Sequence, residues 1–338
     1  MKHDGTRVAV VGAGYWGPNW VRNFYRQSGV EVTVCDLDVG RLDQIAGEFR
    51  GVATTKDLDA LLADPTLDAV VVSTPARTHF ELGRKVLGAG KHVLIEKPLS
   101  FSTQEARELV DIAAHRGVTL MVGHTFEYNP AVIRLRELIQ AGELGRIFYT
   151  YATRLNLGQI REDVNAMWNL APHDISILLF LLGELPSRVN ARGTAFLQEG
   201  IEDVVFMALE FPSGVVSHVH VSWLDPRKDR ALTVVGDRKM VVFNDVDNEA
   251  KLRIYDKGVS RLATGDSREY FYRLRSGDIH IPRIELTEPL ANECQHFLEC
   301  IRTGARPRTD GENGVRVVQV LEAAQASLKA DGAPVQVT

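Results

Sequence analysis

The first third of the chain alternates short, almost continuously apolar runs with amphipathic stretches. Residues 8–11, 30–35, 69–72, 91–95 and 118–122 are rich in Val, Ile and Leu with few polar interruptions, the pattern of strands covered on both faces. Between them, residues 16–27, 39–49, 58–62, 78–87 and 103–115 carry a helical spacing of apolar positions. Strand alternating with helix requires right-handed crossovers and predicts a parallel, doubly wound sheet. Two helix starts carry capping residues: Asp38 before the second, and Ser102 with Glu105 three positions on before the fifth.

After Asn129-Pro130 a helix over 131–140 leads to Gly142 and Gly145, and then the pattern changes. A strand is expected at 147–155. Residues 170–182 read as a helix that is hydrophobic on nearly every side, hence buried. From Ser187 onward the period is two. In 215–223, Val215, Val219, Val221 and Trp223 share one face, and His218, His220 and Ser222 the other. Further strands are expected at 204–211, 232–235, 240–243 and 252–255, separated by turn signals such as Pro212-Ser213-Gly214 and Gly236-Asp237. No helical pattern separates these strands, so the second half is expected to be an α+β domain with an open, mostly antiparallel sheet. Helices over 289–302 and 311–330 close the chain. The expected division is 1–123 for an α/β Rossmann domain and 124–338 for the second, with the closing helices able to pack back on the first.

Composition narrows the setting. At 338 residues about two domains are expected. Hydrophobic residues make up 45% and charged residues 25%, ordinary for a globular chain, and the net charge of −5 offers no basic field for nucleic acid. Cys35, Cys294 and Cys300 form neither a CxxC pair nor a disulfide framework, which fits a reducing, cytoplasmic compartment. Met1 to Gly5 run into the first strand with no apolar signal region. The longest apolar stretch, 175–182, is far shorter than the ~20 residues of a membrane helix.

The sharpest local signal is Gly12-Ala13-Gly14-Tyr15-Trp16-Gly17, which follows the first strand and opens the first helix. In that context Gly12 permits a tight turn, Gly14 lets the backbone approach a pyrophosphate, and Gly17 lets the helix pack closely on the sheet. The helix N-terminus then offers amide N–H groups and a positive dipole end to phosphates. Asp36 ends the second strand, where a carboxylate accepts hydrogen bonds from the adenosine ribose of NAD and repels a 2′-phosphate, so NAD is favoured over NADP. Arg41 lies close enough in sequence to soften that preference.

Further on stand Ser73-Thr74-Pro75-Ala76-Arg77-Thr78-His79, and Gly90-Lys91-His92-Val93 running to Glu96-Lys97-Pro98. With the glycine fingerprint and the later Asn129-Pro130, these segments resemble the glucose-fructose oxidoreductase / inositol dehydrogenase (Gfo/Idh/MocA) family over essentially the whole chain. The resemblance implies an enzyme, an NAD(P)-dependent oxidoreductase acting on sugar or cyclitol CH–OH groups. It implies that Lys97 is the catalytic lysine and that the Lys97–Pro98 peptide is cis. It adds Tyr15, Trp16, Ser73, Thr74, Pro75, His79, Glu96 and Lys97 to the glycines and Asp36 as cofactor contacts.

A second family signature, Asp-x-Gly-x-His, matches Asn169-Leu170-Ala171-Pro172-His173. The resemblance makes His173 catalytic, while Asn169 replaces the usual aspartate. An amide can orient an imidazole but cannot stabilise an imidazolium by charge. The chemistry is coherent in itself. Oxidising a secondary alcohol requires a base for the hydroxyl proton and a cation beside the oxygen, and a histidine, with an ordinary pKa near ~6.5, suits proton transfer around neutrality.

For the substrate, Tyr128 and Asn129 follow the last strand of the first domain, and Arg154, Asn156, Arg161 and Trp168 precede the catalytic helix. Arginines can clamp a diphosphate and an aromatic can stack on a sugar face, although pairing with local carboxylates such as Glu162 and Asp163 is an equal alternative. With Lys97, Asn169 and His173 these form the expected substrate set. The run from Arg154 through Asp174 is similar to nucleotide-sugar 3-dehydrogenases within the family. That implies oxidation at C3 of a UDP-linked N-acetylhexosamine or its uronate, with an aminotransferase acting next. The alternatives are a dehydrogenase or ketoreductase of a free sugar, inositol or aminoglycoside precursor, and a non-catalytic NAD- and sugar-binding sensor. No metal is required: His218 and His220 share a strand face, but two histidines without a third ligand read as a polar sheet face or subunit contact. The open sheet points to a homodimer or homotetramer.

Overall fold

A computed structural model of the chain describes residues 5–263 and 270–338, so the Met1–Asp4 part of the lead-in lies outside the described residues. The first part runs β1 (Thr6–Val11), α1 (Gly17–Tyr25), β2 (Val30–Cys35), α2 (Val39–Glu48), β3 (Ala53–Thr55), α3 (Leu58–Ala63), β4 (Ala69–Val72), α4 (His79–Gly88), β5 (His92–Glu96), α5 (Thr103–Arg116) and β6 (Leu120–Gly123). Among the described residues these strands form a six-stranded sheet in the order β3-β2-β1-β4-β5-β6, every pair parallel. The apolar runs reflect their place: Val8, Ala9 and Val10 of the central strand and all of β4 are fully buried, because helices cover both faces. The expected caps form. Asp38 accepts from the amides of Gly40 and Arg41, and Ser102 Oγ from that of Glu105 at 3.2 Å. β3 was not expected; three largely exposed residues, Ala-Thr-Thr, carry no apolar run to reveal it.

The chain continues through α6 (Pro130–Gln140), β7 (Ile147–Leu155), α7 (Ala166–Leu182), β8 (Arg188–Thr194), β9 (Val204–Glu210), β10 (Val216–Ser222), β11 (Asp229–Gly236), β12 (Met240–Asn244), β13 (Leu252–Ala263) and β14 (Tyr270–His280). It closes with α8 (Pro289–Thr303), α9 (Gly311–Lys329) and β15 (Val335–Gln336). The second sheet has nine strands among the described residues, ordered β14-β13-β12-β11-β7-β10-β9-β8-β15. Only β7 and β10 in it run parallel; the other described pairs are antiparallel, as the period-two pattern without intervening helices requires. One face of the sheet is packed: Ala152, Val205, Met207, Val219 and Val221 are buried, with α7 against β7, β9 and β10. The opposite face carries Tyr149, Tyr151 and Phe206, 44%, 45% and 55% exposed. β14 escaped sequence reading because its residues from Tyr272 to His280 are exposed on both sides, leaving no buried face to impose alternation.

Two compact units result: Met1–Tyr128 with Thr287–Gln319, and Asn129–Leu286 with Val320–Thr338. The return to the first unit has a clear cause. α8 buries Leu290, Cys294 and Phe297 in the cluster that holds Trp20 and Phe24, and Val315 and Val318 of α9 enter the cluster on the sheet's other face. No helix among the described residues is long and apolar enough to cross a membrane.

Candidate active site

In the first unit the glycine turn has the geometry the fingerprint requires. Gly12 has φ +98, and a side chain there would meet Ser73 O at 2.8 Å and Thr74 Cγ2 at 2.9 Å. A Cβ on Gly17 would fall on the Gly12 carbonyl, so the helix start packs directly on the turn. Above Gly14 the space is open as far as Arg41 Nη1 at 3.8 Å. No side chain caps α1, and Tyr15 and Trp16 stand 81% and 41% exposed beside its N-terminus. Asp36 braces the same turn: Oδ2 accepts from the Ala13 amide at 2.6 Å and Oδ1 from Asp38 N at 2.9 Å, with Arg41 Nη1 3.8 Å away. A glycine cradle at a helix N-terminus, closed by a carboxylate, is a chemical fit for a dinucleotide.

Lys97 follows the carboxyl end of β5, where open parallel sheets bind ligands, and its peptide to Pro98 is cis. Several residues expected to touch the cofactor also brace these turns. Glu96 is buried, with Oε1 accepting from Trp20 Nε1 at 2.9 Å and Oε2 from the Lys97 amide at 3.1 Å; burial holds its carboxyl above the usual range. Ser73 Oγ donates to the Gly12 carbonyl at 2.7 Å. His79 is buried with its ring nitrogens 2.7 Å from Pro98 O and 3.0 Å from Thr74 O, tying the loop after β5 to the turn after β4. Burial lowers its pKa, and the Lys97 charge acts in the same direction. Thr74 and Pro75 remain half-buried and exposed on that turn.

The expected substrate residues divide sharply. Tyr128 is 2% exposed, and its hydroxyl lies 3.2 Å from Thr309 Oγ1, within the first unit. Asn129, in the second unit, is a helix cap, its Oδ1 accepting from the Ala131 amide at 2.9 Å. The two arginines do not stand as an open clamp. Arg154 is buried and donates from Nε and Nη2 to the two Asp174 oxygens at 2.7 and 2.9 Å. Arg161 makes the same two-pronged pair with Asp163, at 2.9 Å on both arms. Both guanidiniums were matched by carboxylates, and the partner of Arg154 is not one of its sequence neighbours. Asn156 is half-buried beside Gly158 at the end of β7.

On α7, Asn165 caps the helix through the Trp168 amide at 3.0 Å, and Trp168 Nε1 donates to Gln325 at 2.9 Å. Asn169 Oδ1 accepts from Trp223 Nε1 at 3.1 Å. His173 is half-buried one turn later, on the same helix face. Trp223, Gln325, Glu202 and Asp174 were missed as neighbours of these residues. Only Trp223 carried a signal, as the last inward position of its strand. His220 stacks on Phe206 at 4.2 Å, and the described residues contain no cluster of metal-ligating side chains.

Residues 6–124 match the model of the oxidoreductase family with an NAD-binding Rossmann fold, and residues 132–242 that of the GFO/IDH/MocA C-terminal domain. The chain belongs to the Gfo/Idh/MocA family. It is 29% identical to UDP-N-acetylglucosamine 3-dehydrogenase of Acidithiobacillus ferrooxidans over 96% of this chain and 98% of that protein. A solved structure of that enzyme superposes with a TM-score of 0.80 at 27% identity, covering 97% and 98% of the two chains. The scyllo-inositol 2-dehydrogenase (NAD(+)) of Bacillus subtilis strain 168 is 27% identical over 99% of this chain and 97% of its own. GenD2 from gentamicin A biosynthesis, solved in complex with NAD, gives a TM-score of 0.83 at 27% identity over 100% and 98%. The chain is therefore an oxidoreductase-family protein with an NAD-binding Rossmann fold, and dehydrogenases acting on the CH–OH groups of sugars and inositols are among its relatives.

Proposed function

We propose that the protein oxidises the C3 hydroxyl of a UDP-linked N-acetylhexosamine or its uronate, giving a 3-keto sugar suited to a following aminotransferase. The observation that carries this reading is the full-length likeness to the A. ferrooxidans enzyme. Bound NAD supplies the hydride acceptor at nicotinamide C4. Gly12, Gly14 and Gly17 bring the backbone to the pyrophosphate, Tyr15, Trp16 and Thr74 flank the cofactor, and Asp36 selects NAD over NADP at the ribose. Lys97 holds the substrate oxygen and stabilises developing negative charge, while His173 takes the hydroxyl proton. Asn156, Trp168 and Asn169 contact the sugar.

A second reading has its own support. With Arg154 paired to Asp174 and Arg161 to Asp163, a free sugar, cyclitol or aminoglycoside precursor needs no diphosphate clamp, and GenD2 shares the fold. Incubation with NAD and UDP-N-acetylglucosamine, or its uronate, should produce NADH, and Lys97→Ala or His173→Ala should lower kcat by about 10²-fold or more. Turnover of inositol or an aminoglycoside precursor, with none of any UDP-sugar, would transfer the assignment to the second reading. Wild-type protein that binds NAD and sugar without turnover would make it a sensor. A second copy of the chain covering the exposed sheet face is part of this proposal. So is a cytoplasmic setting, which the three free, buried cysteines support.

A further inference from the structure

Trp223 lies just beyond β10 and is 1% exposed. Its backbone is held on both sides: its amide donates to Asp203 O at 3.0 Å, and its carbonyl accepts from the Gly158 amide at 3.1 Å. The indole is thus a rigid platform, and Nε1 donates to Asn169 Oδ1 at 3.1 Å. An indole nitrogen can only donate, whereas a carboxamide has an accepting end and a donating end of nearly equal size. The contact therefore selects one of two amide orientations, with the oxygen toward Trp223 and the Nδ2 hydrogens turned away from it. An aspartate, the residue the family usually places here, has two equivalent oxygens and nothing to select.

We propose that Trp223 is a positioning residue that fixes the Asn169 amide so that its donors, rather than its carbonyl, are presented on the helix face shared with His173. This rests on the reading that His173 handles the substrate proton. It gives the departure from the family pattern a physical content: the neutral residue is usable because a donor-only neighbour removes the ambiguity of its orientation.

The test is a double-mutant cycle in kcat and KM on full-length wild type, Trp223→Phe, Asn169→Asp and the double variant, with NAD and the best sugar substrate. Trp223→Phe should lower kcat about tenfold and leave KM for NAD unchanged, the scale of one lost oriented hydrogen bond. Asn169→Asp should cost about as much, and the double variant should be no worse than Asn169→Asp alone, because a carboxylate cannot be misoriented by a flip. Equal costs of Trp223→Phe in both backgrounds would show that the ring only packs, and no cost in wild type would also overturn the inference. So would a loss beyond about a hundredfold in Asn169→Asp, more than an amide donor accounts for. Should the Phe variant not fold, benzothienylalanine at 223 replaces the N–H by sulfur at almost unchanged volume and gives the same comparison. His173→Ala separates the two levels: retained turnover there refutes the underlying reading, whereas lost turnover with an additive cycle refutes the positioning role alone.

Discussion

Glu293 on α8 is fully buried, and the contact that satisfies its Oε2 is the Thr125 hydroxyl at 2.6 Å. Burial raises its carboxyl pKa well above the ordinary range, and the neighbouring Glu96 and Glu127 act in the same direction. The folded protein then holds a proton that the unfolded chain releases in the ordinary carboxylate range. Stability from this group is complete below that range and is lost as pH rises toward the raised folded value. Glu293→Gln has no such proton. Its melting temperature should match wild type in acid and exceed it by about 2–4 °C at mildly alkaline pH, measured by calorimetry across a pH series; a constant offset would deny the group this role. The residue also shows how far single positions could be read. Glu293 shares a helix face with Leu290, Cys294 and Phe297, so periodicity alone puts it inside, but a carboxylate is ordinarily assigned outward. Asp38 and Ser102 were legible because a cap acts within three residues of itself. The buried phenol of Tyr128 was not, because Thr309 is brought to it only by the returning chain.

At the scale of elements the instructive pair is Arg154 of β7 with Asp174 of α7. The strand was expected, and the helix was expected to be buried, yet their joining by a two-pronged ion pair was not. The carboxylates near Arg161 in sequence are Glu162 and Asp163, and local pairing was all that the sequence could offer. Which strand residue faces which helix residue is decided by register and packing across the sheet's inner face. The two side chains are 5% and 4% exposed, so removing one leaves its partner charged and dry. Arg154→Leu should destabilise the protein by about 3–5 kcal/mol in urea unfolding, and Arg154→Leu with Asp174→Leu should recover most of that loss. If the single variant costs no more than an ordinary surface change and instead raises KM for a UDP-sugar, the arginine is a substrate ligand after all. Strands with one buried face, such as β9 and β10, announced themselves by alternation. β3 and β14 did not, the first for its length and the second for its exposure on both sides.

For the whole molecule the sequence pattern gave two architectures in the right order but not the path between them. The apolar faces of α8 and early α9 identify those helices as buried without naming the sheet they cover; α8 is matched to Trp20 and Phe24 on one face of the first unit's sheet, and Val315 and Val318 of α9 to the cluster on its other face. The second sheet poses the opposite problem, a face left exposed among the described residues. On it Tyr149 stacks with Tyr151 at 6.5 Å, and Phe206 stacks on His220 at 4.2 Å, rings that pay a solvation cost in water. In the proposed assembly, a second copy related by a twofold axis would bring the same rings against themselves, so one patch would supply both sides of the contact. Light scattering on the purified protein should accordingly give a mass that is a multiple of the single chain. Tyr151→Arg with Phe206→Arg should shift it to the single-chain mass, because cationic side chains then meet their own copies across the axis. A single-chain mass for wild type at all concentrations would leave the aromatic face without a self-partner and refute the assembly. An unchanged multiple in the double variant would place the contact on another surface.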